Sequence, residues 1–159
     1  MERNVKGEKS MSMFSAFNIN ASGLTAQRYR MDVISENVAN ASTTRTADGT
    51  PYRRKIVTFE EKPGQTSFSR ILGEAAYRHG YSGNGVKVTG VYEDYKTEMN
   101  MVYDPSHPDA DENGYVTYPN VNIVTEMTNM IDASRAYEAN STAFAASKSM
   151  ALKGLELGQ

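Results

Sequence analysis

From Val121 to Lys153 the chain contains neither glycine nor proline, and seven alanines lie within that stretch. Nothing in it terminates a helix, and alanine has the lowest helix cost of any residue. Pro119 closes the preceding segment, and Asn120 or Asn122 is positioned to supply the N-cap oxygen. About 33 residues at 1.5 Å each make a cylinder roughly 50 Å long. A compact chain of 159 residues has a radius of gyration near 15 Å, hence a diameter of about 40 Å. The helix overhangs any sphere this chain can form, so it needs a partner helix and surface beyond one rounded core.

The partner is expected from Met13 to Ala41, a run interrupted only by Gly23. Between the two, residues 42–119 hold all five prolines and most of the glycines, which marks loops and short strands. Asp48-Gly49-Thr50-Pro51 and Pro63-Gly64 read as turns, and Tyr52 to Phe59, Val86 to Tyr92 and Met101 to Tyr103 as strands. Thr66 to Gly85 shows no sustained period and reads as a loop or as a short helix near Ser69 to Tyr77. The expected fold is mainly α with a small β-containing middle region, its long terminal helices packing as a coiled-coil-like pair or bundle. It divides into a charged extension at 1–10, a discontinuous helical unit of 11–41 with 120–159, and a β/loop region at 42–119.

The apolar content is low for a self-sufficient core. Leu, Ile, Val and Phe number 27 of 159, below the ~20% level at which chains tend to disorder, yet the net charge of only −2 lacks the self-repulsion that usually accompanies it. Folding with partners follows as an expectation. Seventeen basic against nineteen acidic residues leave no excess for a phosphate backbone, which argues against nucleic acid as a partner. No apolar run approaches the ~18 residues of a spanning helix, so direct membrane insertion is not expected. Lys6 and Lys9 precede Met11 to Ala26, but Ser12, Ser15, Asn18, Asn20 and Ser22 interrupt that stretch too often for the apolar region of a cleaved leader. The absence of cysteine is compatible with export into an oxidising compartment.

The helical faces point to assembly. Val124, Met127, Met130, Ile131, Tyr137, Phe144, Ala151, Leu152 and Leu155 recur at spacings of three, four and seven, diluted by Ser134, Ser141 and Lys148. At the other end Phe14, Phe17, Ala21, Leu24, Met31 and Val38 follow an a/d-like order with Ile34 beside it, while Arg28 and Ser35 occupy two of the row's positions. Two arrangements fit: a closed intramolecular hairpin, parallel or antiparallel, or a subunit whose terminal helices bury their faces against neighbours. Small and polar residues in both rows favour the second. The expected interface is Phe14, Phe17, Leu24, Met31, Ile34 and Val38 on the first helix, with Met127, Met130, Ile131, Tyr137, Phe144, Leu152 and Leu155 on the second. Asn37, Asn40 and Asn140 are expected to add amide contacts or to close a helix terminus. Arg53, Arg54 and Lys55 are expected on a solvated strand face or against an acidic neighbour.

Little in the chain suggests catalysis. Asp109, Asp111, Asn113 and Gly114 match the first half of a calcium loop, but its twelfth position is Asn120, which lacks the bidentate carboxylate, and Pro119 stands beside it. An Asx-rich turn is the expectation, a calcium-binding helical module the alternative. His79 and His107 are far apart and not in an H-E-x-x-H arrangement. The N-x-[ST] triplets at Asn20, Asn40 and Asn140 fall in or beside helices and are taken as accidental. No enzyme activity, cofactor or metal is expected.

Two terminal segments carry a resemblance. Ser35-Glu-Asn-Val-Ala-Asn-Ala-Ser-Thr43 and Asn129-Met-Ile-Asp-Ala-Ser-Arg-Ala-Tyr-Glu-Ala-Asn140 together resemble the paired terminal signatures of bacterial flagellar rod and hook proteins. Gly49 to Lys55, Tyr103 to Pro108 and Gly114 to Asn122 are similar to the proximal-rod members of that family, and the likeness runs from about Met11 to Gln159. The resemblance implies a structural subunit of the basal-body rod in the periplasmic space, polymerising through its terminal helices with itself and other rod proteins to transmit torque from motor to hook. It also implies passage through the flagellar type III export apparatus without a cleaved signal peptide. Another axial protein, distal rod or hook-associated, is the alternative within the family.

Overall fold

The computed structural model describes residues 13–62 and 83–156, with side chains from Ser15 onward. The extension at 1–10, the Pro63-Gly64 turn and the possible helix at Ser69 to Tyr77 lie outside the described residues, as does the side chain of Phe14.

Helix α1 spans Met13–Ala39 and helix α2 spans Ile123–Glu156. They run antiparallel. Asn37 meets Glu126 at one end of the pair, Gly23 faces Asn140 midway, and the Phe17 and Phe144 rings meet edge to face at 5.1 Å towards the other end. The last two turns of α2 reach past the start of α1. A helix pair of this length buries only the facing stripes, which is how a chain poor in Leu, Ile, Val and Phe can still form it.

Both helix ends are set by asparagines. Asn122 caps α2: its Oδ1 accepts the Thr125 N–H at 3.1 Å, while its carbonyl accepts the Glu126 N–H. Asn40 closes α1, its Nδ2 donating to the Glu36 carbonyl at 2.9 Å and its own carbonyl accepting the Thr43 N–H. Asn120 does not cap; it serves the junction described below.

The middle region forms two separate antiparallel pairs. Strands β1 (Lys55–Glu61) and β2 (Val86–Glu93) pair with a register break at Thr58/Phe59, and β3 (Asn100–Tyr103) pairs with β4 (Tyr115–Tyr118). The expected strand at Tyr52 to Phe59 starts three residues later than its pattern suggests. Tyr52 and Arg54 give their N–H groups to the Thr43 carbonyl and to Asn120 Oδ1, so these residues are drawn towards the helix junction instead of a ladder. Strand β4 went unpredicted, although its Tyr-Val-Thr-Tyr run after Asn113-Gly114 has the composition of one. The β1–β2 pair lies against α1, where Ser22 Oγ accepts the Val86 N–H at 3.1 Å. Gly85, at φ +94°, makes that approach: a Cβ there would stand 2.2 Å from Ser22 Oγ.

The buried face of α1 differs from the expected row. Ala26, Val33, Ile34 and Asn37 are buried, whereas Phe17, Leu24, Met31 and Val38 are half-buried beside them. Small residues let the two backbones approach closely, and that rotates the smaller side chains inward. Gly23 shows the limit of the approach, with a Cβ there placed 3.0 Å from the Asn140 amide.

Candidate assembly interface

Where the two helices meet the sheet, the core is polar. Glu126 and Asn37 are 1% exposed and rank with Val116 and Pro119 as the largest fully buried side chains among the described residues. A buried carboxylate is tolerated only when its lone pairs are satisfied by charged or well-aligned donors. Glu126 meets that condition. Its Oε1 accepts Arg54 Nε and Nη2 at 2.9 and 2.7 Å, and its Oε2 accepts Asn37 Nδ2 at 3.0 Å.

Asn37 uses both ends of its amide. Nδ2 also donates to the Lys55 carbonyl at 2.9 Å, and Oδ1 accepts the Lys55 N–H at 2.8 Å and the Tyr52 hydroxyl at 2.9 Å. The side chain thereby stands in for a neighbouring strand at the first residue of β1. Asn120 does the same for the following layer. Its Oδ1 accepts the Arg54 N–H, and its Nδ2 donates to the carbonyls of Asp94 and Thr97 at 2.9 and 3.1 Å. Asp94, itself buried, lies 3.6 Å from Arg54 Nη1 and accepts three bonds from Lys96 and Thr97.

The electrostatics follow from these contacts. Burial, with the Glu36 and Glu126 carboxylates behind it, pushes the Tyr52 phenol well above its ordinary value. The hydroxyl and N–H of Thr97 hold the Asp94 carboxyl below the usual carboxylate range. Arg54 and Lys55, expected on a solvated strand face or against an acidic neighbour, are both paired within the chain, Arg54 with Glu126 and Lys55 with Glu36.

The outward surface of α2 has the opposite chemistry. Val124 is 74% exposed, Met127 58% and Leu155 71%, and Ile123, Ile131, Met150 and Leu152 are exposed too. Val124, Ile131 and Leu152 share one heptad position, and Met127 and Leu155 another. The intervening members of those two rows are Glu138 and Ala145, and Ser134, Ser141 and Lys148. The outer stripe is therefore apolar at both ends and polar at its centre. On α1 the one exposed large apolar side chain among the described residues is Tyr29.

The residues expected at an interface fall into three groups. Met127, Ile131, Leu152 and Leu155 face outward, with Tyr137 at the margin. Phe17, Leu24, Met31, Val38, Asn40, Met130, Asn140 and Phe144 are half-buried along or beside the helix seam. Ile34 and Asn37 are covered by the chain's own elements and act inside the subunit, because β1 and α2 close over that end of α1. Sequence reasoning missed Tyr52, Arg54 and Glu126 as junction residues, and read Asn120 only as a cap. The one available signal was an asparagine in the last turn of the first helix and another just before the second, in a chain with few apolar residues.

The calcium-loop carboxylates are spoken for by protein donors. Asp111 Oδ1 accepts the N–H groups of Asn113 and Tyr115 within the β3–β4 turn, and Asp109 Oδ2 accepts Thr44 Oγ1 at 2.8 Å. Among the described residues no three His, Asp or Glu side chains gather as a metal site would require, and no described helix is long and apolar enough to cross a membrane.

Comparison with known proteins agrees with this geometry. Residues 17–45 match the family described as Flagella basal body rod protein, and residues 112–157 match Flagellar basal body rod FlgEFG protein C-terminal. The two matches fall largely on α1 and α2. The chain is 48% identical over 153 residues to the flagellar basal-body rod protein FlgC of Bacillus subtilis, covering 94% of this chain and 100% of that one. It is 46% identical to FlgC of Borreliella burgdorferi, with 94% and 99% covered, and 42% identical to FlgC of Salmonella typhimurium, with 94% and 100% covered. With both terminal helices matched as rod segments and relatives aligned along nearly the whole length, the chain belongs to the FlgC family of flagellar basal-body rod proteins, structural subunits of the rod.

Proposed function

We propose that this subunit enters the rod by burying the outward stripe of α2 against neighbouring subunits, copies of itself and other rod proteins, in a helical array. The observation that carries the reading is the inversion on α2: the innermost row, Glu126, Ala133, Asn140 and Ser147, is small or polar, with Met130 and Phe144 beside it, while Val124, Met127, Ile131, Leu152 and Leu155 face water. At about 25 cal/mol per Å2, covering such side chains is a substantial driving force that the lone subunit leaves unused. Residues 11–41 and 120–159 then act as one discontinuous rod-core unit, with 42–119 as its outer region. In the proximal rod, between motor and hook, such a unit transmits torque across the periplasmic space. The chain reaches that place through the flagellar type III export apparatus without a cleaved signal peptide, a reading supported by the family and by the polar interruptions after Lys9.

Met127→Asp and Val124→Asp test the face directly, since each places a charge on the outward stripe without touching the helix seam. Both variants are expected to retain the parent's far-UV spectrum and urea midpoint as isolated subunits, and to be absent from purified basal bodies of cells that make only the variant. Normal incorporation of the Met127→Asp/Val124→Asp double variant would refute the proposal. Phe144→Asp is the contrasting control, because it lies against Phe17 and is expected to open the helix pair itself.

A further inference from the structure

We infer that the Arg54–Glu126 pair is a register key: together with the Phe17–Phe144 contact at the far end and the bonds of Asn120 just before α2, it fixes the axial position of α2 against α1. The inward row of α2 repeats every seven residues as Glu126, Ala133, Asn140 and Ser147, three of them buried and Asn140 half-buried. Ala133, Asn140 and Ser147 are small or of moderate size, and a slide of α2 by one heptad puts each in a space that its neighbour already occupied. Such a slide carries Ala133 under Asn37 and displaces Glu126 by about 10 Å. The opposite slide is blocked, because the residue seven positions before Glu126 is Pro119.

Within that row the first member resists most, while beside the row the slide would also part Phe144 from Phe17. Glu126 is 1% exposed, and all its strong partners come from elsewhere in the fold: Arg54 from the segment entering β1 and Asn37 from the end of α1. A slipped α2 would leave half-buried Arg54 with only the longer contact to Asp94 at 3.6 Å and draw Glu126 away from both donors. Charged and polar groups at such positions in helix pairs add little net stability and contribute selection of one arrangement over near-equivalent ones. The rod reading supplies what a fixed register is for, since the outward stripe is presented at one height only when the inward row is held. The key itself is a property of the isolated chain, so its failure is separable from failure of that reading.

The test uses the full chain at a concentration where sedimentation gives a monomer. With no cysteine of its own, the chain accepts Ser35→Cys and Ala146→Cys as spin-label sites, both exposed. In the observed register these lie about 18 residues apart along the pair, roughly 27 Å, and a one-heptad slide shortens that by about 10 Å. The parent is expected to give one narrow distance by pulsed electron paramagnetic resonance. Glu126→Leu alone removes both short bonds of Arg54, leaving it the longer contact to Asp94, and is expected to lower the urea midpoint. Arg54→Met/Glu126→Leu is expected to restore the midpoint to at least the parent value while a second, shorter distance of that size emerges. A single unchanged distance in the double variant overturns the proposal, as does a parent with no discrete distance. If the double variant loses its helical signal, Glu126→Gln, which retains shape and removes charge, is read by the same two distances.

Discussion

On α2 the row turned towards α1 runs Glu126, Ala133, Asn140, Ser147, whereas the row turned to water begins Val124, Ile131 and ends at Leu152. In a self-sufficient helical hairpin these rows would be exchanged. The inward row is held by specific bonds at one end and by close backbone approach along its length. The outward row has burial energy available, and among the described residues nothing covers it. The difference separates two tasks on one helix: the inner row defines the shape of the subunit, and in the proposed assembly the outer row is what neighbours cover.

The comparison breaks most severely at Asn37. Asn37→Ala leaves the Lys55 N–H and carbonyl, the Tyr52 hydroxyl and Glu126 Oε2 without a partner that each now has. At about 1–3 kcal/mol for each buried group left unpaired, with some relaxation, the expected loss is about 3–5 kcal/mol in urea unfolding. Gly23→Ala is smaller. The new methyl meets the Asn140 amide at 3.0 Å, so a cost of about 1 kcal/mol is expected from overpacking. Combined with Asn140→Ala, the same change should become a gain of similar size, because alanine is favoured over glycine in helices by about 1 kcal/mol.

Smaller still under ordinary assay conditions is the response to alkali. Tyr52 is pushed upward by burial, so its neutral form is favoured in the fold, and its contribution is intact below the unfolded tyrosine value of about 10. It is lost as pH rises from there through the raised folded value. The urea midpoint should fall as pH rises above about 10, and Tyr52→Phe should flatten that limb. At the other extreme, Met127→Ser on the outer row is expected to shift subunit stability by no more than about 0.5 kcal/mol. A large loss there would mean that the outer row already has a partner within the chain.

Much of this architecture was legible in the sequence. The long helices were expected at Met13 to Ala41 and Val121 to Lys153, and they run Met13–Ala39 and Ile123–Glu156, because an uninterrupted stretch with asparagines at its edges leaves few alternatives. The resemblance to rod proteins rested on the same two segments. The junction was not legible. Periodicity credits apolar residues, so a glutamate at position 126 reads as solvated, and Arg54 in a basic triplet reads as a solvated face or a contact to an acidic neighbour that the pattern does not identify. Their pairing depends on contacts across 72 residues that no local pattern carries. The start of β1 was misplaced for a related reason, since the Tyr52 N–H is claimed by Thr43 in the preceding loop and the Arg54 N–H by Asn120, far away in the chain.

Asn37 grips Lys55 by both backbone groups, so the end of α1 and the beginning of β1 are riveted at two points. Hydrogen bonds are directional and resist shear, whereas apolar contacts have no preferred angle and yield to it. In mechanical terms the subunit has a stiff weld at the helix–sheet junction and a compliant bearing along the outer side of α2. A load applied to β1 passes into the end of α1 through those two bonds.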